Sequence, residues 1–350
     1  MKKIFLAMAC LTLALISCQK KETVCDASTE NNSVRMTLVA SIGCDDTKIG
    51  FADEDNVLKT AWEQYDKVSV FSLDVSGNIL TNDIFTATSA GKVAEFDGEF
   101  SNHPETASIY VYYPALTEGE GTAEKPWQVP ADNSMRLNGS LYGVVAGSCY
   151  LDFDVSYQLQ RTLDDCSHLE QYMVLSGKTD SDEMEAGKIK VTLEHRSYVL
   201  KTHITLPKSG LTVCSLNMHV KSEDGTREIR VGGTGWTTIN DSGHFPGGWK
   251  TTYNLFFGED IDSDTGSGLK VDGTEFTAYL VSYAGESWDY VAQETTWYHL
   301  TAGDYFTFEV NALDGEEPYT CVLDKKTVTK NLVLENGRMY RLSATLVEGN

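Results

Sequence analysis

Lys188-Ile189-Lys190-Val191-Thr192-Leu193-Glu194-His195 is the stretch whose reading decides the fold class. Ile189, Val191, Leu193 and His195 fall on one face, while Lys190, Thr192 and Glu194 fall on the other. That period of two is what a half-buried strand requires. From Tyr198 the phase shifts, and Tyr198, Leu200, Ile204 and Leu206 share a face. A one-residue shift moves every side chain to the opposite face, and a β-bulge near His195-Arg196-Ser197 would absorb it.

Upstream, the polar, acidic run Thr179-Asp180-Ser181-Asp182-Glu183, reaching Gly187, reads as a loop. It sets a boundary between residues 34–180 and 188–350. Alternation marks further strands at 34–42, 67–73, 108–113 and 142–155 on one side of it. On the other side strands are expected at 211–220, 251–257, 276–283, 305–310, 321–323 and 339–346. Turns such as Asp224-Gly225, Asp272-Gly273 and Asn336-Gly337 punctuate them. The one helical spacing, Leu58, Trp62 and Tyr65, ends at Asp66-Lys67 and reads as a turn of helix or an irregular approach to the next strand. No short fixed period repeats, which argues against a solenoid. Many short strands with Gly-rich turns predict an all-β chain of two consecutive β-sandwich domains.

The first residues fit an export signal. Met1-Lys2-Lys3 is basic, residues 4–16 are uncharged and mostly apolar, and Ser17 and Cys18 follow. The apolar run is shorter than the roughly 17–25 residues that a spanning helix needs. Leu15-Ile16-Ser17-Cys18 resembles a bacterial lipobox, which implies cleavage after residue 17 and lipidation of Cys18. Acyl chains then anchor the protein in the outer membrane. Residues 18–33, rich in Lys, Glu, Asp, Ser and Thr, read as a flexible tether.

Composition narrows the function classes. The formal charge is −23, and removing Lys2 and Lys3 with the signal brings it to about −25. Such a chain is a poor partner for nucleic acid, whose phosphates seek Lys and Arg. The 17 Tyr, 13 Phe and 6 Trp favour strands. Beyond Cys10 and Cys18 the six cysteines are Cys25, Cys44, Cys149, Cys166, Cys214 and Cys321. An exported chain permits disulfides, but the pairing stays open, and no close Cys pairs match a zinc pattern.

Candidate chemistry is sparse. His195 sits on an apolar face as a core or edge histidine, and His203 has no ligand spacing to it. Asp260, Asp262 and Asp264 alternate in a loop, but a helix-loop-helix calcium site needs Gly and Glu where Thr265 and Val271 stand. No phosphate loop and no Gly-x-Ser-x-Gly elbow appears, so the chain is read as a non-enzyme without metal or cofactor. Trp236, Trp249, Trp288 and Trp297 crowd the second half. Trp249 and Trp288 follow turns and are the candidate ligand contacts, since aromatic faces stack on sugars or insert into protein partners.

Several stretches resemble the fimbrillin-like lipoproteins of Bacteroidota. One is Lys59-Thr60-Ala61-Trp62-Glu63-Gln64-Tyr65-Asp66-Lys67-Val68-Ser69-Val70-Phe71, where the family has a Trp before a G-D-x-I-x-V strand and Tyr65 replaces the usual Gly. Others are Ala94-Glu95-Phe96-Asp97-Gly98-Glu99-Phe100 and the strand end Ile109-Tyr110-Val111-Tyr112-Tyr113-Pro114. The V-x-L-x-H of Val191 to His195 and the closing G-x-x-Y-x-L of Gly337 to Leu342 complete the set. The resemblance implies a cell-surface structural or adhesive subunit of fimbriae, with other subunits or itself as partners and a host glycan or protein as ligand. In the family, an Arg- or Lys-directed protease removes the first strand and a terminal strand of the next subunit takes the groove. Here that implies cleavage at Lys48, after the strand at 34–42 that Arg35 begins, and a terminal strand at 339–346. The rival reading is a glycan-binding surface lipoprotein of a nutrient-uptake system, using the turn Trp residues.

Overall fold

The structure, a computed structural model, describes residues 33–42, 52–54, 57–59, 61–129, 144–147, 150–155, 158–185, 187–229, 234–238, 251–262, 265–283, 286–289, 294–297 and 299–349. All lie in the unit Ser33–Asn350. Cys18, Lys48, Trp249 and the tether up to residue 32 lie outside the described residues. As the alternation predicts, the chain is nearly all β.

The first sheet contains β1 (Ser33–Ile42), β2 (Lys67–Leu73), β3 (Ile79–Ala87), β4 (Val93–Ser101) and β5 (Ser108–Tyr113). After the short strand β6 (Gln158–Gln160), which belongs elsewhere, β7 (Leu175–Asp180) and β8 (Lys188–His195) complete it. The order β1-β8-β7-β5-β2-β3-β4 returns to β1, so the expected sandwich takes the form of a closed barrel here. Closure removes free edges. Its core holds Leu38, Val68, Val70, Phe85, Phe96, Val111, Ile189 and Leu193. Trp62 sits edge-on to Phe96 at 5.0 Å and to Tyr113 at 5.7 Å. The approach to β2 is irregular rather than helical: Val57–Lys59 pairs with Ala52–Glu54, and Trp62 bridges Gly91.

The acidic run that reads as a boundary joins β7 to β8, neighbours in this same sheet. The chain changes sheets later, at Arg196-Ser197. The phase shift there is this change of sheet and not a bulge within one strand. β8 fills the barrel core, and the next strand, β9 (Tyr198–Thr205), turns its even-numbered residues into a second core. Arg196 donates its backbone N–H to the Val174 carbonyl at 2.8 Å, and Gly337 donates to the Ser197 carbonyl at 2.8 Å.

The second half is a sandwich. Its strands are β9, β10 (Thr212–Lys221), β11 (Thr252–Phe257), β12 (Glu275–Ser282), β13 (Tyr305–Asp314), β14 (Glu317–Thr327), β15 (Met339–Thr345) and β16 (Val347–Glu348). One sheet has the order β12-β9-β15, and the other runs β16-β14-β13-β10-β11-β6. One core joins them, with Leu200, Ile204, Phe276 and Leu280 facing Leu216, Met218, Leu255, Phe308 and Val310.

Candidate functional site

β1 lies between strands that are remote in sequence. It runs antiparallel to β4 from Ser33↔Ser101 to Ser41↔Val93, and parallel to β8 from Thr37↔Lys188 to Ile42↔Leu193. Met36, Leu38, Ala40 and Ile42 point inward and are buried, while Ser33, Val34 and Arg35 are exposed at the mouth of the slot. Gly98 stands opposite Met36, and a Cβ there would lie 2.6 Å from the Phe85 ring. At the surface Arg35 pairs with Asp97 at 3.2 Å, and Ser41 Oγ meets Thr192 Oγ1 at 3.0 Å. Burial of Met36, Leu38 and Ile42 contributes about 1.5–3 kcal/mol each.

The last long strand repeats this arrangement. β15 runs parallel to β9, from Val199↔Met339 to Thr205↔Thr345, as β1 runs parallel to β8. Its core-facing residues Tyr340, Leu342, Ala344 and Leu346 reproduce the spacing of Met36, Leu38, Ala40 and Ile42. Leu and Ala match, Ile is replaced by Leu, and Tyr stands for Met where the slot opens to solvent. The intervening Thr37, Val39 and Ser41 correspond to Arg341, Ser343 and Thr345. The two strands differ in how they are held. β1 is paired on both sides, whereas β15 ends its sheet and pairs with β9 alone among the described strands. Tyr340 and Leu342 are only partly buried. Each alternation is legible in the sequence, and the likeness between them shows once residues 36–42 are aligned with 340–346.

Carboxyl groups of Asp66, Glu170 and Glu63 gather around Tyr113, at the end of β5. Burial first, then the nearby Glu63, pushes Asp66 up to about 6, although the Glu63 N–H donates to it at 2.7 Å. Burial, then Asp66 and Glu63, pushes Glu170 up to about 7. His195 is buried in β8, and desolvation lowers its pKa to about 4, which keeps it neutral. His203 lies apart, 3.8 Å from Glu275. No group of His, Cys, Asp and Glu able to hold a metal occurs among the described residues. Cys166, Cys214 and Cys321 are buried, and burial raises the Cys321 thiol to about 11. Trp288 falls in the strand Glu286–Asp289, opposite Thr295.

No protein-family model matches the chain, and no curated protein matches it significantly. Among solved structures it is similar to a proposed cell adhesion protein from Bacteroides ovatus, with 11% identity over 91% of this chain and 96% of that one and a TM-score of 0.43. A second such protein, from Bacteroides uniformis, is 13% identical over 89% and 93%, with a TM-score of 0.40. A fimbrial assembly protein from Parabacteroides distasonis is 12% identical over 85% and 98%, with a TM-score of 0.27. Structures of cell adhesion and fimbrial proteins of Bacteroidales are thus among those the chain resembles.

Proposed function

We propose that this chain reaches the cell surface as a lipid-anchored precursor of fimbrial type and, once cut free of that anchor, joins its neighbours by β-strand addition. β1 leaves its slot after cleavage at Lys48, and β15 of a second copy or a related subunit takes its place. One observation carries this reading: residues 340–346 present the inward-facing pattern of residues 36–42, and their strand, β15, is held from one side only among the described strands. An empty slot would expose the backbone groups of β4 and β8 and the apolar floor between them, and an incoming strand satisfies both. Lipidation of Cys18, export to the outer surface and a division into two β domains belong to the same reading.

Limited digestion of the purified mature chain with a Lys-specific protease tests it. Cutting after Lys48 should release the first strand and yield heat-resistant polymer ladders on gels. The double variant Leu342→Asp, Ala344→Asp should be cut equally and stay monomeric. A cut wild-type chain that never polymerises, with itself or with co-expressed subunits, would overturn the reading.

A further inference from the structure

β12 ends a sheet, yet the outward backbone groups from Thr277 to Val281 are taken by side chains. Thr277, Tyr279 and Val281 present three N–H and three C=O groups to that edge. Gln158 accepts the Val281 N–H at 2.7 Å and donates to the Val281 carbonyl at 2.6 Å. Gln160 accepts the Tyr279 N–H at 3.0 Å and donates to the Thr277 carbonyl at 3.0 Å. Asp164 accepts the Thr277 N–H at 2.6 Å, and His168 donates Nε2–H to the Tyr279 carbonyl at 2.9 Å. A primary amide carries the same donor and acceptor as a peptide group, so two glutamines at i and i+2 imitate a paired strand.

The backbone of those glutamines has a second task. β6 runs parallel to β11, from Leu255↔Gln158 to Phe257↔Gln160, and closes the end of the opposite sheet. Gln158, Leu159 and Gln160 are buried, and the Leu159 N–H donates to the Tyr172 hydroxyl at 2.8 Å. Three residues therefore cover the ends of both sheets, one with main chain and the other with side chains.

We propose that Gln158 and Gln160 shut the β12 edge against other chains, so that a second copy cannot pair there. Without them four of these six groups would be open to the β12 of another molecule, and only the Thr277 N–H and the Tyr279 carbonyl would keep their partners, Asp164 and His168. The test uses the uncleaved chain with β1 in place, so it is separate from strand exchange at the slot and survives if that exchange fails. Sedimentation velocity over a hundredfold concentration range should find wild type unchanged and Q158A/Q160A associating. Hydrogen exchange should show the Tyr279 and Val281 amides protected in wild type, exposed in dilute variant and protected again in its oligomer. A core variant of similar stability loss, Leu216→Ala, should stay monomeric. A folded double variant with those amides exposed that remains monomeric throughout would overturn the proposal. If the double variant does not fold, the native chain still decides: rapid exchange at Thr277, Tyr279 and Val281 would show an open edge and overturn it.

Discussion

Tyr65 stands in a backbone conformation that suits glycine, with φ at 80° and 72% of its surface exposed. A left-handed residue with a side chain costs about 1–2 kcal/mol, and this one buries little in return. Tyr65→Gly should raise stability by about 0.5–1 kcal/mol in urea unfolding, after the entropy that glycine gains in the unfolded chain is subtracted. Asp66 and Glu170 make a second residue-scale prediction. Their pKa values, about 6 and 7, are raised above the ordinary 3.8 and 4.5. The folded state therefore favours their protonated forms. That stability is complete below about pH 4 and is lost as pH rises through 6 and 7. Both groups are half-exposed, so solvent screening leaves about 1 kcal/mol for each. Melting temperature should fall between pH 5 and pH 8, and Glu170→Gln should flatten the slope. Leu38→Ala removes a fully buried side chain from the slot strand and should cost about 2–5 kcal/mol.

At the scale of elements, β1 and β15 can be compared in one binding measurement. A synthetic peptide of residues 340–346 should bind the cleaved chain and halt its polymer growth, and a scrambled peptide should do neither. Ala40 is fully buried opposite Ala94, so Ala40→Leu should overpack the slot and cost about 1–3 kcal/mol. Strands with strict alternation, β1, β8 and β13 among them, were legible in the sequence because one face meets a core and the other meets water. β7 was not. Its Leu175, Ser176 and Gly177 are all buried, and a Cβ on Gly177 would come within 2.2 Å of the Thr192 carbonyl. A strand squeezed that tightly against its neighbour uses small residues and loses its pattern. The glutamine seal was equally hidden, since Gln in a short polar stretch reads as surface. Its role depends on a β12 edge more than a hundred residues away.

For the whole molecule, charge sets how copies meet. Without residues 1–48 the charge is about −24, and each copy repels the next over the distance that salt leaves unscreened, a Debye length of about 30 Å at 0.01 M and about 8 Å at 0.15 M. Polymer growth from cleaved protein should therefore speed up on going from the lower to the higher salt, read by light scattering. Growth slowed by salt would mean that local opposite charges, such as Asp97 beside the slot and Arg341 of the incoming strand, outweigh the overall field. The two-residue junction Arg196-Ser197 is tied to Val174 on one side and to Gly337 on the other. Inserting two glycines there should split a single calorimetric unfolding transition into two.

The parallel pairing of β1 with β8 also fixes an order of events during synthesis. The barrel cannot close until residues 188–193 are available to the strand at 37–42. Roughly 150 residues must therefore leave the ribosome while β1 has, at most, β4 beside it. Closing so long a loop is entropically costly and slow, and the apolar floor stays uncovered meanwhile. During that interval the first half of the chain is an open trough, the same surface that the proposed cleavage would create.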